Sequence, residues 1–60
     1  MLKLKGMRVA KGLTQEAMAK LLNTTKTTYG RKERGDAQFD LNEVKQILEI
    51  LECRFEDIFL

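Results

Sequence analysis

One stretch narrows the folds open to this chain more than any other: Thr14 to Gly35, TQEAMAKLLNTTKTTYGRKERG. It holds two short helical patterns with a tight turn between them. In the first, Met18, Ala19 and Leu22 form an i, i+1, i+4 stripe, which lies on one face of a helix but splits across a strand. Ala19 is small enough to let a second helix cross closely. In the second pattern, Lys26 to Arg34, Tyr29 is the one large apolar side chain and so the expected core anchor. Thr14 and Thr25 stand where N-caps are needed, each able to accept from a free backbone N–H two or three residues on. Asn23 marks the turn, because Asn is among the few residues besides Gly that accept a left-handed backbone. Gly35 closes the second pattern. Helices this short are unstable alone in water. They persist only when their apolar faces pack on each other and on further helices, so the stretch predicts a compact all-α domain.

Length allows one domain, residues 1–60. A chain of this size buries only about 60% of its unfolded surface. It therefore needs a good helical core, a disulfide, a metal or a partner chain. Cys53 is the single cysteine and there is no histidine. No internal disulfide can form and no zinc ligand set can be assembled, so neither metal nor cofactor is expected. Helix packing remains, helped by dimerisation. The lone thiol fits a reducing compartment. The Lys-rich N-terminus has no apolar run of signal-peptide length, and no stretch is long and apolar enough to span a membrane. The expectation is a soluble cytoplasmic protein.

The net charge of +2 conceals an asymmetry. Residues 1–35 hold nine Lys/Arg against two Glu, and residues 36–60 hold two against seven Asp/Glu. Within the second helical pattern, Lys26, Arg31, Lys32 and Arg34 stand against Glu33 alone. A basic first part is the usual footprint of phosphate binding, and the acidic remainder implies a different role. The plainer alternative is chance clustering of surface charge.

Along the whole chain there is no proline and no sustained strand-like alternation, and the pattern predicts five helices. The first covers about Leu2 to Lys11, with Leu4 and Met7 facing the core, Arg8 at the edge of that stripe, and Lys3, Lys5 and Lys11 solvated. Gly12 ends it. The second runs from about Gln15 to Leu22 and the third from about Lys26 to Arg34. A glycine inside a helix, as at Gly30, costs about 1 kcal/mol relative to Ala; it signals either close backbone approach or a neutral position. Asp36 to Phe39 reads as a loop. Asp40, with Glu43 three residues on, forms a capping box for the fourth helix. Its stripe is Leu41, Val44, Ile47, Leu48 and Leu51. A last short helix spans Phe55 to Phe59. Ile58, Phe59 and Leu60 end the chain on an apolar note, some of which must be core; the remainder, with Phe55 and with Ile50 off the main stripe, exceeds what a monomer surface usually shows. These five residues are the candidates for a homodimer interface.

Gly12-Leu13-Thr14-Gln15-Glu16, Ala19, Leu22, Tyr29 and Glu33-Arg34-Gly35, together with the Glu56-Asp57-Ile58-Phe59 ending, resemble the helix-turn-helix of the XRE family, which includes the lambdoid phage repressors and Cro proteins. The resemblance covers nearly the whole chain. It implies a lambda-repressor-like fold of five helices and a sequence-specific regulator of transcription, acting as a repressor on a double-stranded DNA operator. It also implies roles. Lys26, Thr27, Gly30 and Arg31 fall on the positions from which the family reads bases. Lys and Arg suit guanine O6/N7, and the Thr methyl suits thymine. Gln15 stands where the family touches a phosphate, and Thr25, Thr28, Arg34 and Gln38 are expected to meet phosphate as well, positioning without specifying. Arg8 and Glu33 occupy the places of a salt bridge that holds the reading helix against the first.

The chain departs from the family pattern at several points. Asn23 replaces the usual turn Gly, and Thr24 stands at an apolar position. Ala17 removes half of a capping box. Lys32 replaces an apolar residue, its stem expected to cover the core while its amine reaches out. Gly30 leaves an outward position without a side chain. Cys53, Met7 and Met18 read as core. The acidic residues Glu49, Glu52, Glu56 and Asp57 read as a solvated face, or more sharply as a contact surface for RNA polymerase or a regulatory protein. A rival function is a protein-interaction module of the same fold, antitoxin-like or adaptor-like, with little specific DNA binding; retention of Arg31 and Arg34 argues against it. An enzyme is not expected, since the sequence offers no histidine, no carboxylate pair in a pocket and no Gly-rich phosphate loop.

Overall fold

The computed structural model describes residues 3–60. Among these residues there are five helices and no strand: α1 (Leu4–Ala10), α2 (Gln15–Leu21), α3 (Lys26–Arg34), α4 (Leu41–Leu51) and α5 (Phe55–Phe59). The expected start of the first helix at Leu2 lies outside the described residues; α1 begins at Leu4. The other boundaries fall within a residue or so of expectation.

Helix starts follow the expected caps. Thr14 Oγ1 accepts from Ala17 N at 3.0 Å, and Thr25 Oγ1 from Thr28 N at 3.2 Å. Asp40 and Glu43 form both halves of a capping box, at 2.7 and 2.9 Å. At Arg54 only one half exists: Asp57 Oδ2 accepts from Arg54 N at 2.9 Å, and arginine has no acceptor to return it.

Helix ends share one device. After α1, α2, α3 and α4 the chain turns through positive φ at Gly12, Asn23, Gly35 and Glu52 respectively. In each case the next residue's N–H reaches back five positions: Leu13 to Arg8, Thr24 to Ala19, Asp36 to Arg31, Cys53 to Leu48. The turning residue itself reaches back three. This paired bonding satisfies carbonyls that a helix end leaves free. Glu52 in this set was not foreseen, because a glutamate carries no signal for the left-handed region.

The core comprises Leu4, Met18, Ala19, Leu22, Tyr29, Ile47, Leu51 and Ile58, drawn from all five helices. Met7, Leu13, Phe39, Leu48, Ile50, Cys53 and Phe59 pack against it partly buried. Two expectations need correction. Leu41, expected in the α4 stripe, is 71% exposed. The buried line of α4 is Ile47–Leu51, and Leu41 stands at the first helical position on the side of the partly buried Leu48. Ile58, expected at an interface, is 0% exposed and sits in the core. Its carbonyl accepts from Lys3 N at 3.0 Å, which docks α5 on the start of α1.

Phe39, read only as loop, is an aromatic link. Its ring centroid lies 6.0 Å from Tyr29 and 6.3 Å from Phe59, and Phe59 stacks on Phe55 at 4.9 Å. Edge-on and offset contacts at these separations suit the aromatic quadrupole. The chain of rings fixes the loop between α3 and α4 to both α3 and α5.

Candidate nucleic-acid interface

Three residues of α3 are buried. Tyr29 is fully buried, while Gly30 and Glu33 are buried beside it. The remaining face is exposed: Lys26, Thr27, Thr28, Arg31 and Arg34 all lie open, as do Thr25 before the helix and Gln38 after it. The structure therefore gathers three of the four expected base-reading residues, Lys26, Thr27 and Arg31, on one accessible face. Gly30 does not share that openness. A Cβ built there would stand 3.5 Å from Arg34 Nη1 and 3.7 Å from Gln15 Oε1, so these two side chains cover it. The expectation of an outward gap is corrected to a close-packed seam between α2 and α3. A methyl group would fit at ordinary van der Waals distance, whereas a longer side chain would push Gln15 or Arg34 aside.

Glu33 anchors this arrangement. Arg8 donates to its carboxylate from Nε at 2.7 Å and from Nη2 at 3.2 Å. Tyr29 Oη donates at 2.7 Å and Gln15 Nε2 at 3.0 Å. Arg8 Nη1 donates in addition to Leu13 O at 2.6 Å, tying the α1–α2 turn to the same cluster. Arg8 and Glu33 are 6% and 8% exposed, so the expected salt bridge is buried and bidentate. Every buried side-chain nitrogen and oxygen among the described residues has a partner. Burial pushes the Glu33 carboxyl up, but hydrogen bonds from Arg8, Tyr29 and Gln15 outweigh it and hold it below the ordinary glutamate value. The hydrogen bond to Glu33 raises the Arg8 guanidinium further. Burial, and then the hydrogen bond to Glu33, push the Tyr29 phenol well above its ordinary range. At neutral pH the cluster is thus a carboxylate, a guanidinium and a neutral phenol. It joins α1, α2 and α3 through charge-assisted bonds, the stronger kind. Gln15 is held by it at the α2–α3 seam, half-buried.

Sequence reasoning missed a second brace. The Lys32 amine does not reach out to solvent; it donates to Glu43 Oε1 and Oε2 at 2.8 and 2.9 Å, with both side chains mostly covered. Glu43 Oε1 also accepts from Asp40 N. One carboxylate therefore caps α4 and ties it to α3, spanning the loop that carries Gln38. Lys32 and Glu43 are eleven positions apart, and no periodicity links them. Arg34 Nε contacts Asp36 Oδ2 at 3.3 Å in an exposed pair. Among the described residues Lys26 and Arg31 have no ion-pair partner.

Between the end of α3, the following loop and α5, an apolar groove of about 520 Å³ is lined chiefly by Phe39, Val44, Phe55, Phe59 and Leu60, with Lys32 and Gln38 also in its lining. Phe55 and Leu60 are exposed, and Ile50 and Phe59 half-buried. Cys53 is half-buried, and burial pushes its thiol up, away from the reactive thiolate. No group of three or more metal-ligating side chains occurs among the described residues, and no helix there is long and apolar enough to cross a membrane.

No curated protein matches the chain. The helix-turn-helix family model matches residues 4–58, which takes in all of α1 to α4 and most of α5. That match covers nearly all of the chain, including the exposed basic α3 and the α2 on which it is seated, and the chain belongs to the XRE-type helix-turn-helix family of DNA-binding regulators.

Proposed function

We propose that this protein is a sequence-specific double-stranded DNA-binding regulator that inserts α3 into the major groove of an operator and acts as a repressor. The observation that carries this reading is the division of α3: Tyr29 and Glu33 bury one face, and Lys26, Thr27 and Arg31 stand free on the other. A helix of this size presented on a braced support suits the major groove. Lys26 and Arg31 take guanine edges and Thr27 a thymine methyl. Gly30 belongs to the reading helix as the place where Gln15 and Arg34 meet. Gln15, Thr25, Thr28, Arg34 and Gln38 take phosphates and set the register. Occupying an operator is enough to block transcription, so repression needs no further activity.

The reading includes a homodimer on a palindromic site, with the two α3 helices about 34 Å apart. Exposed Phe55 and Leu60, with the half-buried Phe59 in the same groove, support this, and Ile50 is half-buried; Ile58 drops out because it is core. The acidic face retains Glu49 and Glu56 for RNA polymerase or a regulatory protein. Glu52 is engaged by Lys11 at 2.6 Å, and Asp57 caps α5.

Selection from a random duplex pool at moderate salt, followed by gel shift on the enriched site, tests the reading. An enriched palindrome is the expected result. An unpaired half-site would remove the homodimer. No enrichment, with only weak salt-sensitive binding, would favour the protein-interaction module instead.

A further inference from the structure

We propose that Lys5 is an additional contact to the DNA backbone, so that the phosphate-binding surface extends beyond the helix-turn-helix onto α1. The inference rests on the reading of the chain as a duplex-DNA binder. Sequence alone leaves Lys5 among solvated lysines. The fold brings it to a groove of about 500 Å³ whose lining is Lys5, Arg8, Thr14, Gln15, Glu16 and Lys26. Three helices meet there: α1 through Lys5, the start of α2 through Gln15, and the start of α3 through Lys26. A duplex seated with its major groove on Lys26 and a phosphate on Gln15 carries its backbone past this groove.

The charges in the groove favour an anion. Arg8 is neutralised by Glu33 beneath it. Lys5 and Lys26 are exposed, and among the described residues neither has an ion-pair partner. Lys11 and Lys32 differ, being held by Glu52 and Glu43. The Lys5 amine can therefore swing to a phosphate on its flexible stem without breaking an ion pair. Glu16 brings a carboxylate to the same lining and opposes an incoming phosphate. Each phosphate neutralised by a lysine releases condensed counterions and adds about 0.9 to the slope of log affinity against log salt.

Fluorescence anisotropy of the full chain on its selected duplex tests this, from about 50 to about 200 mM salt. Lys5→Gln should lower the magnitude of the salt slope by about 0.9, so that its deficit grows about 3.5-fold as salt falls fourfold. The loss should be the same on every single-base variant of the site. Lys11→Gln should keep the wild-type slope. Glu16→Gln should tighten binding, most at low salt. A wild-type slope for Lys5→Gln, with wild-type binding intact, overturns the proposal and leaves the DNA reading standing. Unchanged affinity for Glu16→Gln counts against the groove as the place of the phosphate. A wild-type chain that binds no duplex overturns both.

Discussion

Glu33 receives four hydrogen bonds from three side chains, so a change there disturbs contacts to α1, α2 and α3 at once. Glu33→Gln would leave the Arg8 guanidinium buried without its countercharge. Such losses cost about 3–5 kcal/mol, as urea unfolding should show. Tyr29→Phe removes one donor to the carboxylate while keeping the ring, and should cost about 1.5–3 kcal/mol by the same measurement. The pH dependence has a defined sign. The folded Glu33 carboxyl is held below its ordinary value. Its contribution is complete above the unfolded pKa, about 4.3, and is lost as pH falls below that toward the lowered folded value. Thermal melts should show a steep acid limb that Glu33→Gln flattens. At the reading face, Arg31→Ala should cost about 1–3 kcal/mol against one base pair and relax specificity there, whereas Arg34→Ala should weaken all duplexes alike. Gel shifts on single-base variants separate the two, and equal loss on every variant for Arg31→Ala would remove its assigned role.

At the scale of elements, short helices here depend on their ends. α1, α2 and α5 have seven residues or fewer, below the length at which a helix holds itself together. Caps and left-handed turns supply what length does not. Asn23 tolerates its φ of 59° because its short polar side chain does. Glu52 has φ 53° and no such excuse. Glu52→Gly should therefore raise stability by about 0.5–1 kcal/mol, the relief of left-handed strain outweighing the greater freedom of the unfolded glycine. The exposed Lys11–Glu52 bond lost with it should matter little. A higher thermal midpoint is the expected readout, and a lower one would mean that the Lys11 contact is worth more than a surface pair.

For the whole molecule, the braces share a logic. The Arg8–Glu33 cluster ties α3 to α1 and α2, Lys32–Glu43 ties it to α4, and Tyr29–Phe39–Phe59 ties it to α5. The presented helix is thus fixed from every side but one, so little conformational freedom remains to be lost on contact with a rigid duplex. The apolar groove shares Phe39, Phe59 and Lys32 with these braces, but its exposed Phe55 and Leu60 take no part in them. Phe55→Glu combined with Leu60→Glu should leave the monomer folded, since both are exposed, and abolish cooperative binding to a palindrome. Sedimentation and gel shift together would check this proposed homodimer; an unaltered dimer would place the interface elsewhere, and a wild-type chain that sediments as a monomer on and off DNA would remove it.

Much of this architecture is written in short-range pattern. Threonine and aspartate caps, glycine and asparagine turns and the stripe at Met18, Ala19 and Leu22 act within a turn of helix, and local chemistry determines where each helix starts and stops. The Arg8–Glu33 pair was legible because a family likeness supplied its spacing. What lies between elements distant in sequence was decided only by folding. Leu41 and Ile58 have the same apolar character, yet one is exposed and the other core, because burial depends on what packs above a position. Gly30 became a seam because Gln15 and Arg34 arrive over it from either side. Lys32 met Glu43, and Lys5 came to line one groove with Gln15 and Lys26, through the path of the chain in space; nothing in the spacing of those residues encodes it.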